Sequence, residues 1–192
     1  MIILASQSPR RQELMKLTGL PFAVRVADID ETMDDSLPPV QEVGRVSRLK
    51  AQAIAAAAAP GDIIIAADTI VVIDGKKLGK PHSEAEAASM LRLLSGRDHQ
   101  VMTGCTILYG DRVETFTEVT SLHFRPLSEK EIQKYVQSGE PMDKAGAYGI
   151  QGGAALFCEK LEGDYYNVMG LPVCRLYETL CRTVPEVMED TI

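Results

Sequence analysis

An aspartate interrupts an otherwise apolar run in this chain. Ile63-Ile64-Ile65-Ala66-Ala67 leads into Asp68, and Ile70-Val71-Val72 follows one residue after Thr69. A carboxylate in such a strand is costly unless it is paired with a cation, hydrogen-bonded or bound to a metal. Its neighbours Ala66 and Ala67 are small enough to let other groups approach. A structural ion pair with a lysine or arginine would satisfy Asp68, and so would a role in metal or proton chemistry.

Three other segments carry groups that could act with it. Ser6-Gln7-Ser8-Pro9-Arg10-Arg11 has the form of a strand-to-helix turn. The free amides of a helix N-terminus, with two guanidiniums beside them, suit a polyphosphate. The same residues also describe a capped surface helix with two solvated arginines. Asp28-Ile29-Asp30-Glu31-Thr32 is an acidic loop that could simply be solvated. It is not an EF-hand, because the sixth position is Met33 and the twelfth is Pro39. One carboxylate from it could still complete a magnesium site, since that ion takes one or two carboxylates plus phosphate oxygens and water. Gly79-Lys80-Pro81, together with Lys50, offers two cations that could reach a phosphate or lie on the surface. A Walker motif is excluded there, because the spacing is one residue short and Pro81 stands where Ser or Thr is required. The nucleophile elbow G-x-S-x-G, the zinc motif H-E-x-x-H and a dinucleotide fingerprint after a strand are all missing. What remains is a buried carboxylate, a second possible metal ligand and several cations, a set that points to metal-assisted phosphate chemistry.

The elements that must position these groups follow from local signals. Residues 2–5 read as a strand, and Ser8-Pro9 opens a helix that ends at Gly19. Phe22 to Ala27 reads as a strand and residues 28–39 as a loop. From Val40 to Ala59 the apolar residues Val43, Val46, Leu49, Ala53, Ile54 and Ala57 repeat at helical spacing, and Pro60-Gly61 stops that helix. Asp62 to Ile73 predicts a strand covered on both faces, followed by a tight turn at Asp74-Gly75. Ser83 with Glu86, and Ser128 with Glu131, predict capping boxes for helices to about Leu94 and Ser138. Between those helices, 98–109 and 112–125 read as a hairpin joined at Gly110-Asp111. A glycine-rich loop then precedes a strand at 154–161, a short strand after Asp164, a helix from about Pro172 to Arg182, and a fraying tail. The fold class is α/β with a mixed twisted sheet and flanking helices, in a single domain over 1–192.

Composition narrows the partners. The 192 residues carry 24% charged and 45% hydrophobic residues with a formal net charge of −7, which disfavours a protein that coats DNA or RNA. A small phosphorylated ligand is still compatible, because a basic pocket can sit in an acidic molecule. No apolar run reaches the roughly 18 residues of a membrane span. The opening Met1-Ile2-Ile3-Leu4-Ala5-Ser6 reads as a strand and not as an export signal, so the cytoplasm is the expected location. Cys105, Cys158, Cys174 and Cys181 show no C-x-x-C pair and are expected to be reduced. If the chain assembles, a homodimer is the commonest symmetric choice.

The chain resembles the Maf family of nucleoside triphosphate pyrophosphatases. Five blocks carry the resemblance in family order: Ala5 to Arg11, Ala67-Asp68-Thr69, Gly79-Lys80-Pro81, Asp143 to Gly152, and Gly163 to Pro172. The resemblance implies a fold like that of inosine triphosphate pyrophosphatases, with two lobes around a central cleft. It also implies hydrolysis of a nucleoside triphosphate to the monophosphate and pyrophosphate with Mg²⁺ or Mn²⁺. Asp68 is then the expected proton acceptor and, with Glu31, a metal ligand. Ser6, Arg10, Lys50 and Lys80 are expected at phosphates, and Arg11, Thr69 and Gln151 are positions associated with base selection.

The segment Gly146-Ala147-Tyr148-Gly149-Ile150-Gln151-Gly152 resembles the branch that acts on dTTP and UTP. An amide at 151 can donate and accept at once, which suits the O4 and N3–H edge of uracil or thymine. The 7-methyl-GTP branch carries an acidic residue near that position. Gly153-Ala154-Ala155 is the one departure from the family pattern. A nucleotide-binding regulator of septum formation that does not turn its ligand over, and a phosphomonoesterase, are the rival readings.

Overall fold

The computed structural model describes residues 1–26 and 28–188. In chain order the elements are β1 (Ile2–Ala5), α1 (Pro9–Lys16), β2 (Phe22–Arg25), α2 (Pro39–Ala55), β3 (Ile63–Ile73), β4 (Lys76–Leu78), α3 (Glu84–Leu94), β5 (Asp98–Tyr109), β6 (Arg112–Phe124), α4 (Glu129–Gln137), β7 (Cys158–Glu162), α5 (Tyr165–Met169), α6 (Val173–Thr183) and α7 (Pro185–Met188). Short 3-10 turns occupy 140–143, 145–147 and 153–156. The strands form one mixed seven-stranded sheet in the order β2-β1-β3-β5-β6-β7, with β4 paired to β3. The β1 strand is parallel to both β2 and β3, whereas β4 and β7 run antiparallel to β3 and β6. This is the expected α/β class.

The chain divides into two compact units that alternate along the sequence. The first comprises Met1–Asp68, Thr103–Glu118 and Gly170–Ile192. Its core joins Ile3 and Ala5 of β1 and Ile64 and Ala66 of β3 to Ala51 and Ile54 of α2. The second comprises Thr69–Met102 and Val119–Met169. There α3 and α4 bury Leu91, Leu94, Ile132 and Val136 with Val71, Leu122, Phe124 and Tyr148.

Several sequence expectations are corrected. Residues 153–156 form a 3-10 turn and not the start of a strand, with Ala154 and Phe157 buried beside it. The residues after Asp164 form α5, a single helical turn in place of a strand. Asn167 at its centre donates to the Val101 carbonyl at 3.1 Å and to Thr120 Oγ1 at 3.0 Å, which ties that turn to the sheet. The tail does not fray immediately after 183, because Val184 and Met188 are buried and Arg112 binds the Thr183 carbonyl at 2.8 Å. Ser128 and Glu131 form the full capping box, but Glu86 accepts from the His82 amide while Ser83 accepts from Glu86.

The helix α2 starts where expected but ends at Ala55, short of Pro60-Gly61, and it buries only part of the apolar repeat. It buries Val43, Val46, Ser47, Lys50, Ala51 and Ile54 and exposes Ala53, and Ala57 lies exposed beyond its end. It lies directly on β5. A Cβ added at Gly104 would overlap the Val43 carbonyl and stand 2.6 Å from the Gly44 nitrogen. Gly104→Ala is therefore expected to destabilise the protein by about 1–3 kcal/mol, seen as a lower urea midpoint with unchanged slope.

In the second unit, His99 is buried and its Nε2 lies 2.8 Å from the Tyr148 hydroxyl. Burial lowers its pKa to about 4, opposed only in part by the Arg97 backbone and Asp98. The unfolded chain binds a proton near pH 6.5, so it takes up protons that the folded state refuses as pH falls. Stability carried by His99 is complete above pH 6.5 and is lost down to about 4. The loss between pH 6.5 and 5 is expected to be about 2 kcal/mol, measured by denaturant unfolding, and His99→Gln is expected to flatten that slope.

Candidate active site

The strand β3 is buried along its length except at Asp68 and Thr69, which are half-buried. Lys50, on the inward face of α2, places its ammonium 2.8 Å from Asp68 Oδ1 and 3.0 Å from Glu31 Oε2. Side-chain exposure is 10% for Lys50, 16% for Asp68 and 48% for Glu31, so the ion pair grades from the interior toward solvent. The cost that Asp68 would incur alone is offset by this cation.

Glu31 lies in a loop without regular structure, yet its surroundings are fastened to α2. The fully buried Glu42 accepts from the Asp34 amide at 3.1 Å and from Arg45 Nη2 at 2.7 Å. Arg45 in turn donates to the Thr32 carbonyl at 2.9 Å. Asp30 accepts from both the amide and the hydroxyl of Thr32. These bonds tie the backbone just after Glu31 to α2, and the Asp30 side chain reaches across Glu31 to Thr32. The sequence showed Glu42 and Arg45 only as a charge pair three residues apart, a spacing that solvated helix faces share.

Arg11 projects from the first turn of α1, where Pro9 and the Ser8 cap open the helix. Its Nε donates to the Gly170 carbonyl at 2.7 Å. Burial lowers its pKa from the usual guanidinium value, and the facing Asp68 carboxylate is the strongest of the groups that oppose this. Cys105 and Glu31 act in the same sense as Asp68, while the neighbouring Arg10 acts against them. Ser6, buried at the end of β1, accepts the Ser8 amide on its hydroxyl at 3.2 Å. Within the first unit, then, Asp68, Glu31 and Lys50 meet directly, and Arg11 lies within electrostatic reach of both carboxylates and of its neighbour Arg10.

The donor set fits a hard divalent ion. One cation already touches both carboxylates, and every ligand on offer there is oxygen, which suits Mg²⁺ or Mn²⁺ and not zinc. No group of three or more His, Cys, Asp or Glu side chains among the described residues could hold a metal. An ion held by Glu31 and Asp68 would therefore complete its shell from phosphate oxygens and water.

The remaining candidates belong to the second unit. Thr69 follows Asp68 in β3, and Lys80 is exposed in the turn after β4. The Gly79 carbonyl accepts from the Gly146 amide at 3.0 Å, which ties that turn to the glycine-rich loop. Gln151 is exposed at the tip of that loop. Tyr135 and Glu140, which no local sequence signal singles out, bond to the backbone on either side of it.

A model of the Maf family, described as Maf-like protein, matches residues 1–183. A dTTP/UTP pyrophosphatase of Symbiobacterium thermophilum is 51% identical over 179 residues, covering 93% of this chain and 92% of its own. A protein of the same name from Bacillus velezensis is 50% identical, covering 93% of this chain and 94% of its own. Among solved structures, the Ham1 protein of Staphylococcus aureus aligns at a TM-score of 0.52 with 17% identity over 93% of this chain and 97% of its own. A HAM1 protein from Coxiella burnetii gives 0.50 with 17% identity, over 94% and 98%. The structural likenesses bear on the fold alone. No helix among the described residues is long and apolar enough to cross a membrane.

Replacing Lys50 by Met would leave two carboxylates facing each other without their shared cation. The variant is expected to lose about 1–3 kcal/mol, a range set below that of a fully buried pair because Glu31 is half-exposed. In an Asp68→Asn background the same substitution is expected to cost less, and a double-mutant cycle of urea unfolding checks the coupling.

Proposed function

This chain belongs to the Maf family, and on that footing we propose that it hydrolyses dTTP and UTP to the monophosphate and pyrophosphate. The observation that carries the reading is the Asp68 carboxylate, sunk in an apolar strand and gripped by Lys50 beside Glu31 and Arg11. The names of relatives sharing about half their residues over more than nine-tenths of their length support the same substrates.

Asp68 takes the proton from a water whose oxygen attacks the α-phosphorus. The bond from that phosphorus to the bridging oxygen breaks, and pyrophosphate leaves with the electron pair. Lys50 orients Asp68 through its 2.8 Å bond and adds its charge to those facing the phosphates. Arg10, Lys80, Ser6 and the amides opening α1 hold the triphosphate as anion donors. Arg11, Thr69 and Gln151 select the base. A Mg²⁺ or Mn²⁺ ion, when bound by Glu31 and Asp68, supplies neutralising charge at the phosphate oxygens.

Asp68→Asn keeps an oxygen for Lys50 while removing the proton acceptor. Turnover is expected to fall by about 10²–10⁴-fold with the fold intact, measured by pyrophosphate release and circular dichroism. Near-normal turnover by this variant would remove Asp68 from the role. A panel of dTTP, UTP, CTP and 7-methyl-GTP tests the substrate class. Binding of dTTP or UTP without any pyrophosphate release would favour the regulator, and release of inorganic phosphate would favour a phosphomonoesterase.

A further inference from the structure

In the second unit, the loop that carries Gln151 hangs from one hydrogen-bonded pair of side chains. Tyr135, on α4, packs its ring edge-to-face against Phe157 at 5.1 Å. Its hydroxyl donates to Glu140 Oε1 at 2.8 Å and accepts from the Gly149 amide at 3.0 Å. The other carboxylate oxygen, Glu140 Oε2, accepts from the Gly153 amide at 3.1 Å. The two anchored amides lie two residues before and two residues after Gln151. Glu140 also lies flat against the loop backbone, since a Cβ added at Gly152 would overlap its carboxylate. Lys144 closes the base of the loop by donating to the Glu140 carbonyl at 2.7 Å and to Asp143 Oδ1 at 2.7 Å.

Gln151 is itself exposed, and among the described residues its side chain makes no hydrogen bond. Its position is therefore set by its backbone, and that backbone by Tyr135 and Glu140. An amide that reads a base must donate and accept at once, and hydrogen bonds weaken steeply when misdirected. A site of that kind discriminates strongly only while its polar groups are held in place.

We propose that Tyr135 and Glu140 are specificity-positioning residues: they fix the direction in which Gln151 presents its amide to the O4 and N3–H edge of a uracil or thymine base. This rests on the assignment of Gln151 to base selection. Neither residue touches the base or the reacting atoms. Their effect is confined to how well the protein tells one base from another.

The test compares kcat and KM for UTP and CTP among Tyr135→Phe, Glu140→Ala, Glu140→Gln, Gln151→Ala and the unaltered protein. The same ratio is read as binding affinity for non-hydrolysable UTP and CTP analogues, so that a chain without turnover still answers. Tyr135→Phe and Glu140→Ala are expected to lower UTP preference about 10-fold, the order expected for one misplaced hydrogen bond, chiefly through KM. Glu140→Gln keeps one acceptor oxygen and is expected to recover part of that preference, which also covers the case in which Glu140→Ala does not fold. An equal loss on UTP and CTP, or no recovery with Gln, would reduce both residues to structural supports and overturn the proposal. If Gln151→Ala shifts the preference and neither Tyr135→Phe nor Glu140→Ala does, the bracing alone is wrong. If Gln151→Ala leaves the preference unchanged, the base-reading assignment fails and this inference falls with it.

Discussion

A carboxylate is accommodated in the middle of β3 because a cation enters the first unit with it, and much of that unit is arranged around this requirement. Lys50 supplies the charge, so α2 must turn a lysine inward among Val46, Ala51 and Ile54. For its ammonium to reach Asp68, α2 must lie close to the sheet. Gly104 permits this, because any side chain there would collide with the backbone of α2. The second carboxylate on the same cation, Glu31, comes from a loop that would otherwise wander, and the buried Glu42 with Arg45 fixes that loop to the same helix. One helix thus supplies the cation and fastens the loop of one anion, Glu31, while β3 supplies the other, Asp68.

That dependence explains what could be seen in the sequence and what could not. Asp68 was conspicuous because its surroundings along the chain are apolar, and a local contrast is all a single sequence displays. The helix starts at Ser83 and Ser128 were equally visible, since caps act within a turn. The inward face of α2 is not legible locally, because it is chosen by partners on β3 and β5. Leu49 and Ala53 fit an apolar stripe, yet Ser47 and Lys50 are the buried residues, with Ser47 bonded to Thr106 at 2.8 Å. Tyr135 and Glu140 left no signal either, because a tyrosine in α4 and a glutamate after a glycine are ordinary surface spacings. The misreading of 154–156 and of the residues after Asp164 has the same origin: small and aromatic residues there pack into turns whose partners lie far along the chain.

The candidate groups are held in two different ways, and the difference follows from what each would do. Asp68 and Lys50 are withdrawn from water, where charge–charge interactions are strong and a proton acceptor can be oriented without bulk solvent. Gln151 and Lys80 are exposed, which their proposed contacts with a ligand from solution require. Exposure alone would leave a mobile side chain, and ordering it on binding would oppose affinity. The structure meets this by stiffening the backbone beneath, through Gly79 to Gly146 and through Tyr135 and Glu140 to Gly149 and Gly153. Neutral and charge-assisted hydrogen bonds suffice there because nothing in that loop requires an ionised group to be buried. An ion pair holds the half-buried carboxylate, and hydrogen bonds from backbone amides hold the exposed loop; each matches the solvent environment of the group it serves.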